Sequence, residues 1–168
     1  MITRSLLIIF CLFLGRVMVI GQISDTKMVS MKEFTENPWP FASKFEVFQD
    51  KYSEYLKTTK FSMKNRMDPS HKDTIIKMSK GKTEIFFFKP YNGDAYFIAA
   101  NLHDKRLKLK GDICVGTSAS GFYSKIAYPD NNKDSVQLAL PGGAYRTLIV
   151  LKNSRIDHIK IEAQNRNK

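Results

Sequence analysis

Two short stretches of this sequence begin in the same way: KDTIIKM at residues 72–78 and KDSVQLA at residues 133–139. Each starts with Lys-Asp, continues with a hydroxyl residue and a β-branched residue, and leads through a glycine-containing turn into a second apolar run. Runs of this length, bounded by Gly, Pro and Asn, are typical of strands in β-hairpins. The sequence therefore predicts similar hairpins at two places in the chain.

The residues around the first stretch predict an antiparallel meander of four strands with tight turns, one of which is the Asn92-Gly93 turn. The polar residues 61–73 before it are expected to form a loop, with at most a short strand. A further short strand precedes the second stretch, and three more accompany it. The predicted strands cover residues 74–78, 83–89, 95–101, 105–110, 113–115, 135–140, 145–151 and 155–161.

Helices are predicted in front of both sets of strands. Ser30 and Glu33 have the spacing of a capping box, and the prolines after Asn37 must end that helix early. Aromatic residues then recur in steps of three and four over residues 41–56, which predicts an amphipathic helix. In the second half, either Ser118 or Ser120 can cap a short helix that carries Phe122, Tyr123 and Ile126.

The chain thus alternates between a helix and hairpins twice, which predicts an α+β fold of two tandem helix-plus-antiparallel-sheet units. The first unit is expected over residues 23–110 and the second over residues 111–162, followed by a polar tail at 163–168. Side by side, the units would share an eight-stranded surface with the helices packed on one face of the sheet. The other face would be open and concave.

Residues 1–22 have the layout of a secretory signal peptide. Arg4 precedes an unbroken apolar run over residues 6–14, too short to span a bilayer, and no acid occurs in this segment. We expect cleavage near residues 21–22 and export to the periplasm or the extracellular space; a retained anchor is the alternative. Cleavage lowers the formal charge from +11 to +9, with 25 basic and 16 acidic residues left.

Only Cys114 then remains, so no internal disulfide is expected, and its apolar surroundings predict a buried structural thiol.

The second half resembles a known family. Residues Ile113, Gly116, Thr117, Phe122, Ile126, Ile156 and Ile159 match the repeat unit of β-lactamase-inhibitor-like and SmpA/OmlA-type (outer-membrane assembly) periplasmic domains, over about 50 residues, 113–161. The Gly-x-Pro often found after the helix in that family is replaced by Tyr128-Pro129-Asp130. The resemblance implies an envelope protein that binds other proteins through its sheet, and it implies no catalytic residue.

The residues themselves predict neither an enzyme nor a cofactor or metal site. His71, His103 and His158 share no ligand spacing with one another or with a pair of acids. The GTSASG run at 116–121 lacks the pattern of a nucleophile elbow and the lysine of a phosphate loop, and helix capping explains its serines. Asp73 and Asp134 are expected to accept backbone N–H bonds where their strands start.

Two groups of residues are candidates for binding a partner. In DKRLKLKG, Arg106, Lys108 and Lys110 share one side of a predicted strand, opposite Leu107 and Leu109, and Lys105 adds to the positive row. A solvated face or a protected edge strand explains the same pattern. In IFFF, at 85–88, the strand is apolar on both sides. It is either covered on both faces, or it presents an aromatic contact face; the residues of that face would include Phe86, Phe88, Tyr91 and Tyr96.

These observations predict an exported, non-enzymatic binding protein that recognises a protein partner through a basic, aromatic-bearing β surface. The basic residues suit an acidic partner. Inhibitors, immunity-type proteins and envelope-assembly accessories all fit this description. An anionic envelope component is a second kind of partner, whereas no nucleic-acid motif accompanies the basic residues. The alternatives are an envelope hydrolase with a His/carboxylate site and a carrier of an acidic lipid or glycan.

Overall fold

The computed structural model describes residues 28–126 and 134–164. Within them the chain forms a mixed α+β fold in which seven antiparallel strands make one sheet. The helices are α1 (Met31–Glu36), α2 (Phe45–Tyr52) and α3 (Ala119–Ile126). The strands are β1 (Lys57–Lys64), β2 (Lys72–Lys80), β3 (Thr83–Lys89), β4 (Tyr96–Leu102), β5 (Ser135–Leu138), β6 (Tyr145–Lys152) and β7 (Arg155–Ala163).

The strands lie in the order β1-β2-β3-β4-β7-β6-β5. Consecutive strands pair as hairpins on both sides of the sheet, and the β4–β7 pair joins the two sides, from Ala99 opposite Glu162 to Leu102 opposite Ile159. Among the described residues, β1 and β5 form the edges of the sheet. The KDTIIKM stretch lies in β2, which pairs with the next strand, β3. The KDSVQLA stretch contains β5, which likewise pairs with the next strand, β6.

One face of the sheet carries the core. Alternate strand residues, such as Ile76, Phe87 and Ile159, are fully buried and belong to one hydrophobic cluster with helix residues such as Phe48 and Phe122. The residues between them point to the other side of the sheet, where most are partly exposed. We call this other side the open face.

Aromatic rings hold α2 against the sheet. The Phe48 ring lies 5.1 Å from Phe87 and 4.8 Å from Trp39, and both contacts are edge-to-face, the geometry that the ring quadrupole favours. The helix predicted over 41–56 is therefore present, but it is shorter than predicted. Phe41 and Leu56 still pack on the core from the segments that flank the helix.

The predicted strand at 105–110 is wrong. Residues 105–109 form turns and irregular backbone, and a short 3-10 helix follows at Lys110–Asp112. The backbone N–H groups of this segment are bonded outside the sheet: Arg106 donates to the Asp104 carboxylate at 2.8 Å, and Lys110 donates to the Pro38 carbonyl at 2.8 Å. Leu107 and Leu109 are fully buried, as the alternation of apolar and basic residues predicts, but they reach the core from a loop and not from a strand.

Two further strand predictions also fail. Residues 113–115 make only an isolated bridge, between Ile113 and Leu109. The polar segment 61–73, expected to be a loop with at most a short strand, contains the second half of β1 and the start of β2. The strand β1 pairs with β2 from Lys57 opposite Ser79 to Lys64 opposite Lys72. An edge strand pairs with a neighbour along only one edge and often carries charged side chains, so its sequence can be mostly polar. The sheet consequently has seven described strands in place of the predicted eight.

Both predicted helix caps are present. The Ser30 hydroxyl accepts the Glu33 N–H at 3.1 Å at the start of α1. At the start of α3, Ser118 and not Ser120 accepts the Gly121 N–H, also at 3.1 Å.

The expected signal segment 1–22, with its cleavage position, and the last four residues of the polar tail lie outside the described residues. No helix among the described residues is long and apolar enough to cross a membrane.

Candidate functional site

Four neighbouring strands each place one apolar side chain in a row across the open face. The register sets Phe61 opposite Ile75, Ile75 opposite Phe88, and Phe88 opposite Tyr96. Phe61 and Tyr96, at the two ends of the row, are 51% and 52% exposed, and the rings of Phe88 and Tyr96 lie 5.5 Å apart. Strand pairing therefore builds a continuous apolar row that solvent reaches.

Two more exposed side chains extend this row. Met63 follows Phe61 by two residues on β1 and thus shares its face, and Tyr91 follows the end of β3. They are 42% and 47% exposed. We call the six residues the aromatic patch: Phe61, Met63, Ile75, Phe88, Tyr91 and Tyr96.

A buried carboxylate fixes the Tyr91 end of the patch. Asp73 is only 4% exposed, and it accepts the Tyr91 backbone N–H at 3.1 Å and the Asn65 side-chain amide at 3.0 Å. His71 stacks on the Tyr91 ring at 4.1 Å and bonds to Asp68 at 2.8 Å. The predicted role of Asp73 as an acceptor of a backbone N–H is confirmed.

The edge strand β1 carries three cations, Lys57, Lys60 and Lys64, and within residues 28–126 and 134–164 no ion pair involves any of them. By strand alternation only Lys57 shares the side of Phe61 and Met63, whereas Lys60 and Lys64 point to the side of α2, where Lys60 lines a cavity with Phe45 and Glu46. On the open face, Lys77 of β2 is paired with Glu84 at 2.5 Å and lies over the Phe86 ring, so Phe86 is partly covered.

A cleft adjoins the patch at Tyr96. It has a volume of about 560 Å³, and Tyr96, Phe97 and Tyr145 form its aromatic wall, with Glu36 as the acidic group. The Tyr145 hydroxyl donates to Ser43 at 2.9 Å, which ties β6 to the segment before α2. The cleft is thus a formed depression next to an exposed aromatic row.

The predicted partner-binding residues form two separate groups. Phe86 and Phe88 lie on the open face, as the contact-face interpretation of IFFF requires, whereas Ile85 and Phe87 are buried in the core. The basic residues Lys105, Arg106, Lys108 and Lys110 follow the far end of β4. Because β4 has seven residues, this end lies roughly 20 Å from Tyr96.

Two histidines that are distant in the sequence meet on the sheet. The rings of His103 and His158 stack with centroids 5.0 Å apart, and the Asp157 carboxylate lies 2.8 Å from His158 Nδ1. Burial, followed by the charge of His158, lowers the pKa of His103 below its ordinary range. No spacing predicted this pair, because only the β4–β7 pairing brings the two residues together. The described residues contain no group of three or more side chains suited to a metal ion.

The prediction of a buried thiol at Cys114 is wrong. The side chain is partly exposed, and its Sγ lies 3.7 Å from the Thr117 hydroxyl, because the backbone here turns at the surface and makes no strand.

Sequence reasoning missed three members of the aromatic patch: Phe61, Met63 and Ile75. The available signal was the alternation of Phe61 and Met63 with polar residues in an otherwise polar segment. That signal indicates a strand with one apolar side.

No protein-family model, curated protein or solved structure matches this chain. The geometry of the described residues is therefore the basis for a functional assignment.

Proposed function

We propose that this chain is a non-enzymatic binding protein whose open face recognises an acidic protein partner. The observation that carries this proposal is the aromatic patch, in which Phe61 and Tyr96 expose about half of their surface while the strands that hold them are fully paired on at least one side. Contiguous exposed apolar groups of this kind mark interaction sites. Rings on a rigid sheet bury a large area and lose little conformational entropy on binding.

Charge supports an acidic partner. Residues 57–94, which build the patch side of the sheet, contain nine basic and four acidic residues. One of the acids, Asp73, is buried, and another, Glu84, is paired with Lys77. The segment that builds the patch therefore carries a net positive charge, and such a field speeds association with an acidic surface and disfavours basic ones.

The cleft at Tyr96 supports a protein as the partner. Binding energy in protein interfaces concentrates in a few side chains that fill pockets near the centre of the contact. The patch shares Tyr96 with a cleft of about 560 Å³, which Phe97 and Tyr145 also line. An aromatic or aliphatic side chain of the partner would fill this cleft, while the surrounding surface of the partner covers the patch.

We also propose that the chain consists of two tandem helix-plus-sheet units with the helices on one face. The strand order supports this, because β3 and β2 continue outward from β4 as β6 and β5 do from β7. The stretches that share Lys-Asp thereby take corresponding places in the two halves. Export, cleavage near residues 21–22 and likeness to the periplasmic inhibitor and assembly domains belong to the same proposal.

The test is capture of a partner by the immobilised full chain from envelope extract at low and at high salt. A double variant, Phe61→Ser with Tyr96→Ala, removes both ends of the aromatic row. Met28→Ser is the matched control, because Met28 is 61% exposed and precedes Val29, whose N–H bonds to Lys125 in α3. We expect the wild type and the control to capture the same acidic protein and the double variant to lose it.

Salt separates the two contributions. If the charge beside the patch contributes, Lys57→Glu, on the same side of β1 as Phe61, should weaken capture at low salt and make little difference at high salt. Equal capture by the patch variant and the control would contradict the proposal. Turnover of a substrate by the purified chain, abolished by His158→Gln, would favour the hydrolase alternative instead.

A further inference from the structure

A second surface, on the side of the sheet that carries α2, is rich in cations. Segment 103–112 leaves β4 and runs beside α2, and two adjoining cavities of about 490 and 320 Å³ lie there, with Arg106 lining both. Together they are lined by six basic side chains and two acidic ones, Asp104 and Asp112. The six define the basic groove: Lys51, Lys80, Lys105, Arg106, Lys108 and Lys110.

Aromatic rings hold three of these cations in place. The Lys80 ammonium lies 3.9 Å and the Arg106 guanidinium 4.7 Å from the centroid of the Tyr55 ring. The Lys51 ammonium lies 5.3 Å from the centroid of Phe41. A cation that rests on a ring loses less side-chain freedom when an anion binds to it. The groove is therefore partly organised before any ligand enters.

The acids of the groove do not cancel its charge. Six basic side chains face two acidic ones, so the groove keeps a net positive charge although the Asp104 carboxylate attracts Arg106 and Lys80. That carboxylate also accepts bonds from the Tyr55 hydroxyl and the Arg106 backbone N–H. Asp112 is paired with Lys108 at 3.3 Å, but both side chains are more than half exposed, so the pair is weak. This leaves Lys51, Lys80, Lys105 and Arg106 without a carboxylate partner among the described ion pairs.

The cations are spread over both cavities. Lys80 and Lys105 line the first cavity, Lys51, Lys108 and Lys110 line the second, and Arg106 lines both. A ligand long enough to enter both cavities therefore meets cations along its length, so an elongated ligand with several anionic groups fits the groove better than a single ion does.

We propose that the basic groove binds an acidic oligosaccharide, a chain of sugar rings that carries sulfate or carboxylate groups. The volumes of the two cavities lie in the range of small-molecule sites. Phe41 and Tyr52 provide apolar ring surface beside the cations, which suits the faces of sugar rings. An acidic lipid fits less well, since the apolar residues of segment 103–112 are buried and offer no surface to an acyl chain.

Titration calorimetry of the purified full chain with a heparin hexasaccharide tests this proposal. The double variant Lys105→Ala with Lys108→Ala removes two exposed cations of the groove. Its matched control, Lys57→Ala with Lys60→Ala, removes the same charge from β1. We expect binding about tenfold weaker for the groove variant and nearly unchanged for the control.

Each other outcome overturns the proposal. Equal weakening by both double variants would show diffuse attraction with no site, and absence of binding by the wild type would exclude the ligand class. Equally tight binding of a poly-glutamate peptide of the same charge would assign the groove to acidic peptides. The control variant also separates this proposal from the binding function of the open face, because it removes Lys57 from the side of the aromatic patch and leaves the basic groove intact.

Discussion

His103 and His158 stack on each other across the β4–β7 pair, with planes inclined by only 18°. Burial has the largest effect on His103 and lowers its pKa below the ordinary 6.5; His158, Lys82 and Lys160 lower it further, and only Asp157 opposes them. The unfolded chain consequently binds this proton more readily than the folded chain does. Folding stability must therefore decrease as the pH falls below about 6.5 towards the lowered pKa.

The first prediction follows from this sign. We expect the unfolding free energy to drop less between about pH 7.5 and pH 5 in His103→Gln than in the wild type, because the variant lacks the group with the lowered pKa. Urea titrations at the two pH values measure this drop. The carboxyl of Asp157 also has a lowered pKa, because of its bond to His158, but its contribution is lost only at more acidic pH. Identical profiles for the variant and the wild type would contradict the prediction.

The second prediction concerns the two aspartates that share the Lys-Asp pattern. Asp73→Ala leaves the Tyr91 N–H and the Asn65 amide without their acceptor, so we expect a loss of about 1–3 kcal/mol in unfolding free energy. Asp73→Asn keeps an acceptor and should lose less. Asp134 is exposed, and Asp134→Ala should change stability by less than about 0.5 kcal/mol. Chemical denaturation measures all three, and equal losses at the two aspartates would refute the asymmetry.

The third prediction separates the two sides of β3. Phe87 is fully buried between the rings of Phe45, Phe48 and Phe97, so Phe87→Ala should cost about 3–5 kcal/mol. Phe88 is only partly buried on the open face, and Phe88→Ala should cost clearly less. The same urea titrations compare the two variants. A larger loss at Phe88 would mean that the faces of the strand are assigned the wrong way round.

The fourth prediction distinguishes two serines near the start of α3. Ser118 caps the helix through the Gly121 N–H, so Ser118→Ala should destabilise the chain by roughly 0.5–2 kcal/mol. Ser120 is exposed, and its hydroxyl makes only a long contact of 3.4 Å with Ser118. Ser120→Ala should therefore be nearly neutral in thermal unfolding. The reverse order of melting temperatures would assign the cap to Ser120.

Much of the secondary structure could be predicted because its causes are local. The Ser30 cap needs only a hydroxyl and an N–H three residues later, and the strand at Thr83–Lys89 needs only its own β-forming residues and the turns beside it. The errors occur where local signals are ambiguous. Residues 105–110 alternate as a strand does, but their backbone N–H groups are bonded to Asp104 and Pro38.

The candidate site was predictable only in part. Phe88 and Tyr96 could be proposed because each lies in a strand with a recognisable pattern. Phe61 and Ile75 join them only through the register of β1 on β2 and of β2 on β3. The basic residues were correctly identified as an exposed row, yet the loop that carries them turns onto the side of α2, away from the aromatic patch.

The sequence by itself determined most of the helices and hairpins, which side chains are apolar, and that the chain is strongly basic, because these depend on neighbouring residues and on composition. Only the tertiary structure decided that β4 pairs with β7, that His103 meets His158, and that the cations and the aromatic row occupy separate surfaces. The physical reason is that these contacts join residues far apart in the chain. Their free energy depends on packing the whole sheet at once, and no short window of sequence contains that information.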